Sequence, residues 1–408
     1  MSAASPWGHA ARAAAALAAA MGVGRFVYTP ILPLMHTQAG LSAGAGANLA
    51  TANYAGYLVG ALAGILAPVL VRSRAVLRAC LLLLTGTLAA MPLTHSTTVW
   101  SLLRLVAGMA SALVFVIAAG SLLHHLRAHP PHLSGWAFGG VGGGIALSGL
   151  LVLVVRPVAD WRTAWWTAAA LAALLAALSW QLRPEEAPLT TVHRSGTGPP
   201  RTHRWFAALF VSYTLEGVGY IIAGTFLVAA VGQGSPGWVG SGAWVLVGLA
   251  AVPSAALWAR LGRRWSRPGL LLTALVVQAV GIALPALVGG TVAALGSALL
   301  FGATFIGIST LALAAGAHLR FPRSVALLTA GYSVGQILGP LLVAPLLHDG
   351  HDGYRRALLL AGLVVLVAAG AAAVLRIGFP YHVAAEGPTV PGQQRESTGD
   401  ARPAPAGP

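Results

Sequence analysis

Three charged side chains stand where charge is least welcome. Arg25, Arg104 and Glu216 each fall well inside long apolar runs. A charge near the middle of a bilayer costs about 2.5–3.5 kcal/mol on insertion scales, so each should face protein or trapped water rather than lipid. At about 1.5 Å per residue, Arg104 sits roughly 8 Å, Arg25 roughly 13 Å and Glu216 roughly 16 Å from one end of its run, all within a central slab. A lone carboxylate there is suited to proton chemistry. Desolvation favours its neutral form and a nearby guanidinium favours its ionised form, so one proton can switch a Glu–Arg pair. Glu216, with Arg104 or Arg25 as its partner, is therefore the candidate proton-coupling group. A fixed ion pair would use the same residues, and for Arg104 contact with backbone carbonyls or a tilt to the outer interface competes with that reading.

Helical spacing gathers further polar groups around these charges. Arg25 and Tyr28 share a face at i,i+3, and Tyr213, Glu216 and Tyr220 share one at i,i+3 and i,i+4. Asn53 with Tyr57, and Tyr332 with Gln336, form two more such pairs. Arg25, Tyr28, Tyr213, Tyr220, Asn53, Tyr57, Tyr332 and Gln336 are the candidate substrate-binding set. Two Arg against one Glu leave the set net positive, which favours a solute with an anionic group. For Asn53, Tyr57, Tyr332 and Gln336, ordinary interhelical hydrogen bonding competes with that reading.

The elements that must hold these groups are membrane helices. Of 408 residues, 57% are hydrophobic and only 8% charged, against roughly a quarter charged in soluble domains. Apolar runs of bilayer-crossing length fall at 10–34, 46–70, 76–94, 99–122, 134–155, 163–182, 205–230, 238–259, 268–288, 291–316, 324–347 and 355–377. The first run is too long for a cleaved signal core, and its removal would invert the charge pattern. A Pro-rich polar stretch, 183–204, reads as a cytoplasmic linker between an N-terminal half (1–182) and a C-terminal half (205–377). The polar tail 378–408 has the composition of disorder.

The net charge of +15 comes from 24 basic residues that are all Arg. They lie in short clusters between runs rather than on one face, which argues against nucleic acid. With a cytoplasmic N-terminus, 18 fall on the cytoplasmic side, four outside and two within spans. That bias places both termini in the cytoplasm of a bacterial cell with the chain as a multi-pass inner-membrane protein. The single Cys80 lies in an apolar run and can form no intrachain disulfide.

The two halves repeat. Met21-Gly22-Val23-Gly24-Arg25-Phe26 aligns with Glu216-Gly217-Val218-Gly219-Tyr220-Ile221, and Gly140 and Gly144 align with Gly331 and Gly335. Duplicated six-helix halves are a transporter architecture. Ala255-Ala256-Leu257-Trp258-Ala259-Arg260-Leu261-Gly262-Arg263-Arg264 resembles the major facilitator loop motif G-x-L-a-D-r-x-G-r-r, with Ala259 in place of the acid. Gly64, Pro68 and Arg72 form a weaker first-half copy. The resemblance implies a gating latch at Arg72, Arg260, Gly262, Arg263 and Arg264, altered here because both acids are missing. Leu103-Arg104-Leu105-Val106-Ala107-Gly108 partly resembles the family's second motif. The segment 21–35, together with Glu216-Gly217-Val218-Gly219-Tyr220 and Thr225-Phe226-Leu227, is similar to the YbfB/YjiJ-like branch of that superfamily. This resemblance implies an all-α major facilitator fold of 12 transmembrane helices in two pseudo-symmetric bundles. It also implies a proton-coupled carrier, in a branch often given a sugar-efflux label.

Other chemistries find less support. His124, His125, His129 and His132 cluster without a Cys or acid to complete a metal shell, and read as loop residues. Gly139, Gly140, Gly142, Gly143 and Gly144 lie inside a span with no Lys, unlike a phosphate loop. Trp100, Trp161, Trp165, Trp205, Trp238 and Trp265 lie near span ends and read as interfacial anchors. A membrane-embedded enzyme would rest on His348-Asp349-Gly350-His351-Asp352, a short external turn, and a non-transporting sensor or scaffold gains nothing from buried charge. The sequence thus points to a monomeric secondary carrier, not an enzyme. Its partners are protons, lipid and a small organic solute, with no cofactor or metal; alternating access with export is the favoured mode.

Overall fold

Prolines, serines and one aspartate set where the helices of this chain start and stop. The structure, a computed structural model, describes residues 6–126, 131–184, 202–233, 235–319, 321, 323–349 and 351–379. Most of the linker, His129 and the tail from 380 lie outside the described residues. Twelve long helices follow one another: α1 (Pro6–Gln38), α2 (Ala43–Leu66), α3 (Arg74–Ala90), α4 (Thr97–His125), α5 (Pro131–Val155) and α6 (Trp161–Ser179). After the linker come α7 (His203–Gln233), α8 (Trp238–Leu261), α9 (Arg267–Leu287), α10 (Gly290–His318), α11 (Ser324–Val343) and α12 (His351–Arg376).

Ser42, Ser73, Ser96, Asp160 and Ser266 cap α2, α3, α4, α6 and α9, each accepting a backbone N–H three residues on. Such a cap is worth about 1 kcal/mol. The expected second span, 46–70, stops early at Leu66 because Pro68 keeps Ala67 out of the helical conformation (φ −124°, ψ 76°). Eleven of the helices are long and apolar enough to cross a membrane by length and composition. The sixth, Trp161–Ser179, is placed instead by packing: its small residues Ala164, Ala168 and Ala172 are buried as it lies on α1 and α3.

Two assignments are corrected. Trp100, Trp161 and Trp165 are buried rather than interfacial. Trp100 donates to the Met91 carbonyl at 2.8 Å and meets Trp161 edge-on at 5.6 Å, so the partners that satisfy it lie inside the first bundle. Trp238 and Trp265 do remain exposed. His124 and His125 are not loop residues but the last turn of α4, and His132 falls in the first turn of α5; His125 stacks on His9 of α1 at 4.1 Å.

Glycine placement explains how the two bundles close. In the run on α5, Gly139 and Gly142 face Val252 of α8, while Gly140 and Gly144 face Ala14 and Ala18 of α1. One helix thus makes two seams with backbones in near contact. Gly22 of α1 meets Gly144 of α5, and their counterparts Gly217 of α7 and Gly335 of α11 meet in the same way. Thr29 donates to the Gly224 carbonyl at 2.6 Å across a separation of 195 residues, the same offset that relates α1 to α7. Each is the other's repeat equivalent, so this bond marks the pseudo-twofold axis.

A Cβ on Gly144 would stand 2.5 Å from the Ala18 carbonyl and 2.8 Å from Gly22 Cα, whereas one on Gly143 meets nothing within 4 Å. Gly144→Ala is therefore expected to destabilise the detergent-purified protein by about 1–3 kcal/mol through overpacking. Gly143→Ala should leave the thermal midpoint unchanged. Equal midpoints for the two variants would refute the seam.

Candidate functional site

The site begins with a defect in α1. Pro30 has no N–H to offer the Phe26 carbonyl, so the Thr29 N–H turns to it at 3.2 Å. That leaves the Arg25 carbonyl without its usual donor. Upstream, Ala18–Val23 is wound as a π-helix, and the Gly24 N–H reaches back five residues to Ala19 at 2.8 Å. An expected plain span, 10–34, is in fact an interrupted helix extending over Pro6–Gln38. Such π turns recur at functional sites.

Arg104 repairs the defect. It is buried in α4, and its two terminal nitrogens donate to the Gly24 and Arg25 carbonyls at 3.0 and 2.9 Å. Its own carbonyl accepts Asn53 Nδ2 at 2.8 Å. Ser111, two turns along α4, holds the Ala20 carbonyl at 2.6 Å. Tyr28 lies under the Arg104 guanidinium at 5.0 Å and donates to the Gly46 carbonyl at 2.8 Å. Arg104, Asn53 and Tyr28 thus brace the break.

The break presents Arg25 to the space between the bundles. Its guanidinium, on a side chain only 3% exposed, lies 4.4 Å from the Tyr57 ring, 4.9 Å from Tyr54 and 5.2 Å from Phe26. Cation–π contact of this kind gains strength when water is absent. Arg25 Nη2 donates to Gln336 Oε1 of α11 at 2.6 Å. Tyr54 continues the ring across the axis by a 2.8 Å bond to Thr225 of α7.

Across from Arg25 stands an aromatic stack from three helices of the second half. Tyr213 and Tyr332 stack at 4.4 Å, Tyr332 and Tyr220 at 5.7 Å, and Tyr220 and Phe305 at 5.6 Å. Tyr220 and Tyr332 lie within electrostatic reach of both Arg25 and Glu216.

Glu216 is fully buried at 0% exposure, behind that stack. Neither of its carboxylate oxygens has a hydrogen-bond partner, so the Glu216–Arg pair anticipated from sequence is not formed. The reason is geometric. Arg104 is committed to α1 carbonyls, Arg25 bonds Gln336, and the tyrosines neighbour both charges. The polar side chain facing Glu216 is Gln278 of α9.

The structure therefore brings Arg25, Tyr57, Tyr213, Tyr220, Tyr332 and Gln336 around one centre, sets Arg104, Asn53 and Tyr28 behind it, and puts Glu216 beyond it. Sequence reasoning missed Tyr54, Phe26, Phe305 and Gln278. Gln278 did carry a signal, a lone amide amid the apolar run 268–288. Arg72, Arg260, Arg263 and Arg264 are exposed at the Arg-rich end, and Gly262 ends α8. Among the described residues no group of three or more His, Cys, Asp or Glu could hold a metal. At the opposite end a cavity of about 350 Å³ opens between the halves, with His36, Arg156, Gln233, His348 and Tyr354 on its wall.

Two six-helix bundles about a pseudo-twofold axis, with a polar site buried between them, are the architecture of a major facilitator transporter. The profile described as "Uncharacterised MFS-type transporter YbfB" matches residues 17–373, and the chain belongs to that family. It is thus a multi-pass membrane transporter. No curated protein sequence matches it. Among solved structures, a point mutant of the nucleoside transporter NupG gives a TM-score of 0.68 at 15% identity, over 91% of this chain and 100% of that one. A bacterial homologue of the human lysosomal transporter Spinster, inward-facing and unoccupied, gives 0.66 at 14% identity, over 92% and 98%. These likenesses establish the fold.

Arg104→Lys offers one ammonium in place of a fork that reaches two carbonyls. It is expected to lower stability by about 1–3 kcal/mol, the cost of an unsatisfied buried polar group, and to reduce transport with it. A wild-type thermal midpoint for purified Arg104→Lys would rule out the clamp.

Proposed function

We propose that the chain is a proton-coupled secondary carrier that moves a small organic anion with a flat, stackable face by alternating access. The observation that carries this reading is Arg25: a buried guanidinium whose terminal nitrogen bonds a neutral amide and whose faces meet aromatic rings. An anionic solute would supply the missing countercharge and slide against Tyr220 and Tyr332. Glu216 is the proton carrier in this scheme, being the acid in the middle of a described span, whereas Asp352 lies in the first turn of α12. Coupling then runs through the tyrosines that neighbour both sites, since the two charges are not in contact.

The N-terminal half (1–182) and C-terminal half (205–377) would rock about the axis at Thr29–Gly224. The exposed Arg72 and Arg260–Arg264 loops would approach and separate during gating. Arg asymmetry supports a cytoplasmic location for both termini and a bacterial inner membrane as the host. Export is favoured over uptake on the efflux label of the branch the sequence resembles. We read the working unit as a monomer, with no cofactor and no enzymatic activity.

The test is flux in proteoliposomes under an imposed pH gradient, with aromatic carboxylates and neutral planar solutes, nucleosides among them, on the inside or the outside. Arg25→Ala should lose at least about tenfold in transport of the anion, the equivalent of about 1.4 kcal/mol, with little effect on neutral solutes. Glu216→Gln should abolish gradient-driven flux while leaving equilibrative exchange. Wild-type, gradient-driven rates in Glu216→Gln would remove the proton assignment. Equal loss of anionic and neutral solutes in Arg25→Ala would remove the anion assignment.

A further inference from the structure

Gln278 is an expensive residue in its place. It sits in the middle of α9, is 0% exposed, and neither its amide nitrogen nor its oxygen has a hydrogen-bond partner. A buried, unsatisfied amide in a bilayer-spanning bundle is disfavoured unless something completes it. Leu or Met would fill the volume without that penalty. The group it faces, Glu216, is equally buried, and the two side chains lie within hydrogen-bonding reach of each other although neither meets strict hydrogen-bond geometry. Four polar atoms without a well-formed protein hydrogen bond thus lie together in the second bundle.

The surroundings isolate the pair. From its own helix Glu216 has Tyr213 and Tyr220, and from α11 it has Tyr332. Helices α9, α10 and α12 hold no titratable side chain in their middle turns. The α12 residues against this side of α7 are apolar, Ala361 and Val365 at Gly219. Ser212, one turn from Glu216, spends its hydroxyl on the Ala368 carbonyl at 2.8 Å. Arg25 lies past the tyrosines.

Acid and amide are complementary in a specific way. A neutral carboxyl can donate its O–H to Gln278 Oε1 and accept Nε2–H at its carbonyl, closing a ring of two hydrogen bonds. A carboxylate can accept the N–H but offers nothing to the amide oxygen. Both protonation states therefore gain from Gln278, by different bonds, and the ionised state gains more because charge-assisted bonds are the stronger.

We propose that Gln278 is a positioning residue for the proton site: it holds the Glu216 carboxyl in line, pairs with it in both protonation states and sets the pH at which the carrier turns over. This rests on Glu216 being the proton carrier. It adds a partner on α9, remote from the cargo-facing Arg25 and from the α1–α4 brace.

The experiment compares wild type, Gln278→Leu, Gln278→Glu and Glu216→Gln as purified full-length protein. Infrared difference spectra across a pH titration are recorded together with pH-dependent flux in proteoliposomes. The Glu216 carboxyl band is identified by its loss in Glu216→Gln. In Gln278→Leu, the carboxyl C=O band is expected to move to higher frequency, since its amide donor is gone. The pH midpoint of transport should move upward by about one unit, a tenfold change in proton affinity, because the ionised form loses the stronger bond. Gln278→Glu restores a hydrogen-bonding partner and should split the titration into two steps. Thermal unfolding of Gln278→Leu serves as the folding control; an unfolded Leu variant shifts the decision to the Gln278→Glu titration. A folded Gln278→Leu with unmoved band and midpoint, or a single-step wild-type titration in Gln278→Glu, overturns the proposal. Failure of the underlying reading is separate: Glu216→Gln would then keep gradient-driven flux and the wild-type titration.

Discussion

Inside a bilayer every backbone carbonyl must find its donor within the protein, because no water is at hand to supply one. That constraint organises this molecule. Pro30 disturbs the hydrogen-bond ladder of α1, and the Arg25 carbonyl is left over. A guanidinium is well matched to the vacancy, since its planar fork can serve two carbonyls at once. Arg104 does so for Gly24 and Arg25. The cost of burying a charge in the core of α4 is offset by the satisfied break, the Tyr28 face beneath it and the Asn53 bond that steadies its turn. The break in turn lets Arg25 leave the bundle interior and face the second half. One unsatisfied carbonyl thus fixes where two of the three intramembrane charges go.

The glycines serve the same end by another route. Lipid gives helices no hydrophobic reason to associate, so close approach of backbones must supply contact. Gly139 and Gly142 bring α5 against α8, while Gly140 and Gly144 bring it against α1. Gly331, Gly335 and Gly339 seat α11 on α7 at Phe210, Thr214, Val218 and Ile221. This pulls Tyr332 and Gln336 of α11 to the midline, where they meet Tyr213 and Arg25. The tyrosine stack is therefore a consequence of glycine spacing on the neighbouring turn as much as of the tyrosines themselves.

How much of this could be read beforehand differs by level. The helix count and duplicated plan were legible, because runs of apolar residues and Arg placement report directly on the solvent. The polar faces were also legible, since Tyr213, Tyr220, Tyr332, Gln336 and Tyr57 follow helical spacing. What hydropathy could not show was which of the two sides of a buried helix faces which neighbour. Glu216 and Arg25 occupy similar depths, so proximity along the membrane normal suggested a pair. Rotation of α7 by less than a quarter turn separates Tyr220, which faces Arg25, from Glu216, which faces Gln278. For Arg104 the sequence left two readings open, a Glu216 partner or backbone carbonyls; the carbonyls hold it here, and which carbonyls a proline leaves over is not visible to a residue-type search. Trp100 and Trp161 lay near span ends, yet each other's rings and the Met91 carbonyl drew them inward.

Separating the two charges has a consequence for any coupling scheme. A direct Glu–Arg pair would let a proton release the guanidinium by simple competition. Here the path from Glu216 to Arg25 must cross Tyr220 and Tyr332, which neighbour both. Those rings are stacked with Tyr213 and Phe305, so one cannot tilt without displacing the next in a close-packed interior. The stack draws on α7, α10 and α11, and through Gln336 it touches the guanidinium that α1 presents. A change in the Glu216 compartment would therefore reach Arg25 as a shift in ring packing rather than as a change in local charge. Packed cores switch between discrete arrangements rather than deforming smoothly. Such an all-or-none response is what alternating access would require of an element lying between a proton site at Glu216 and a cargo site at Arg25, as proposed above.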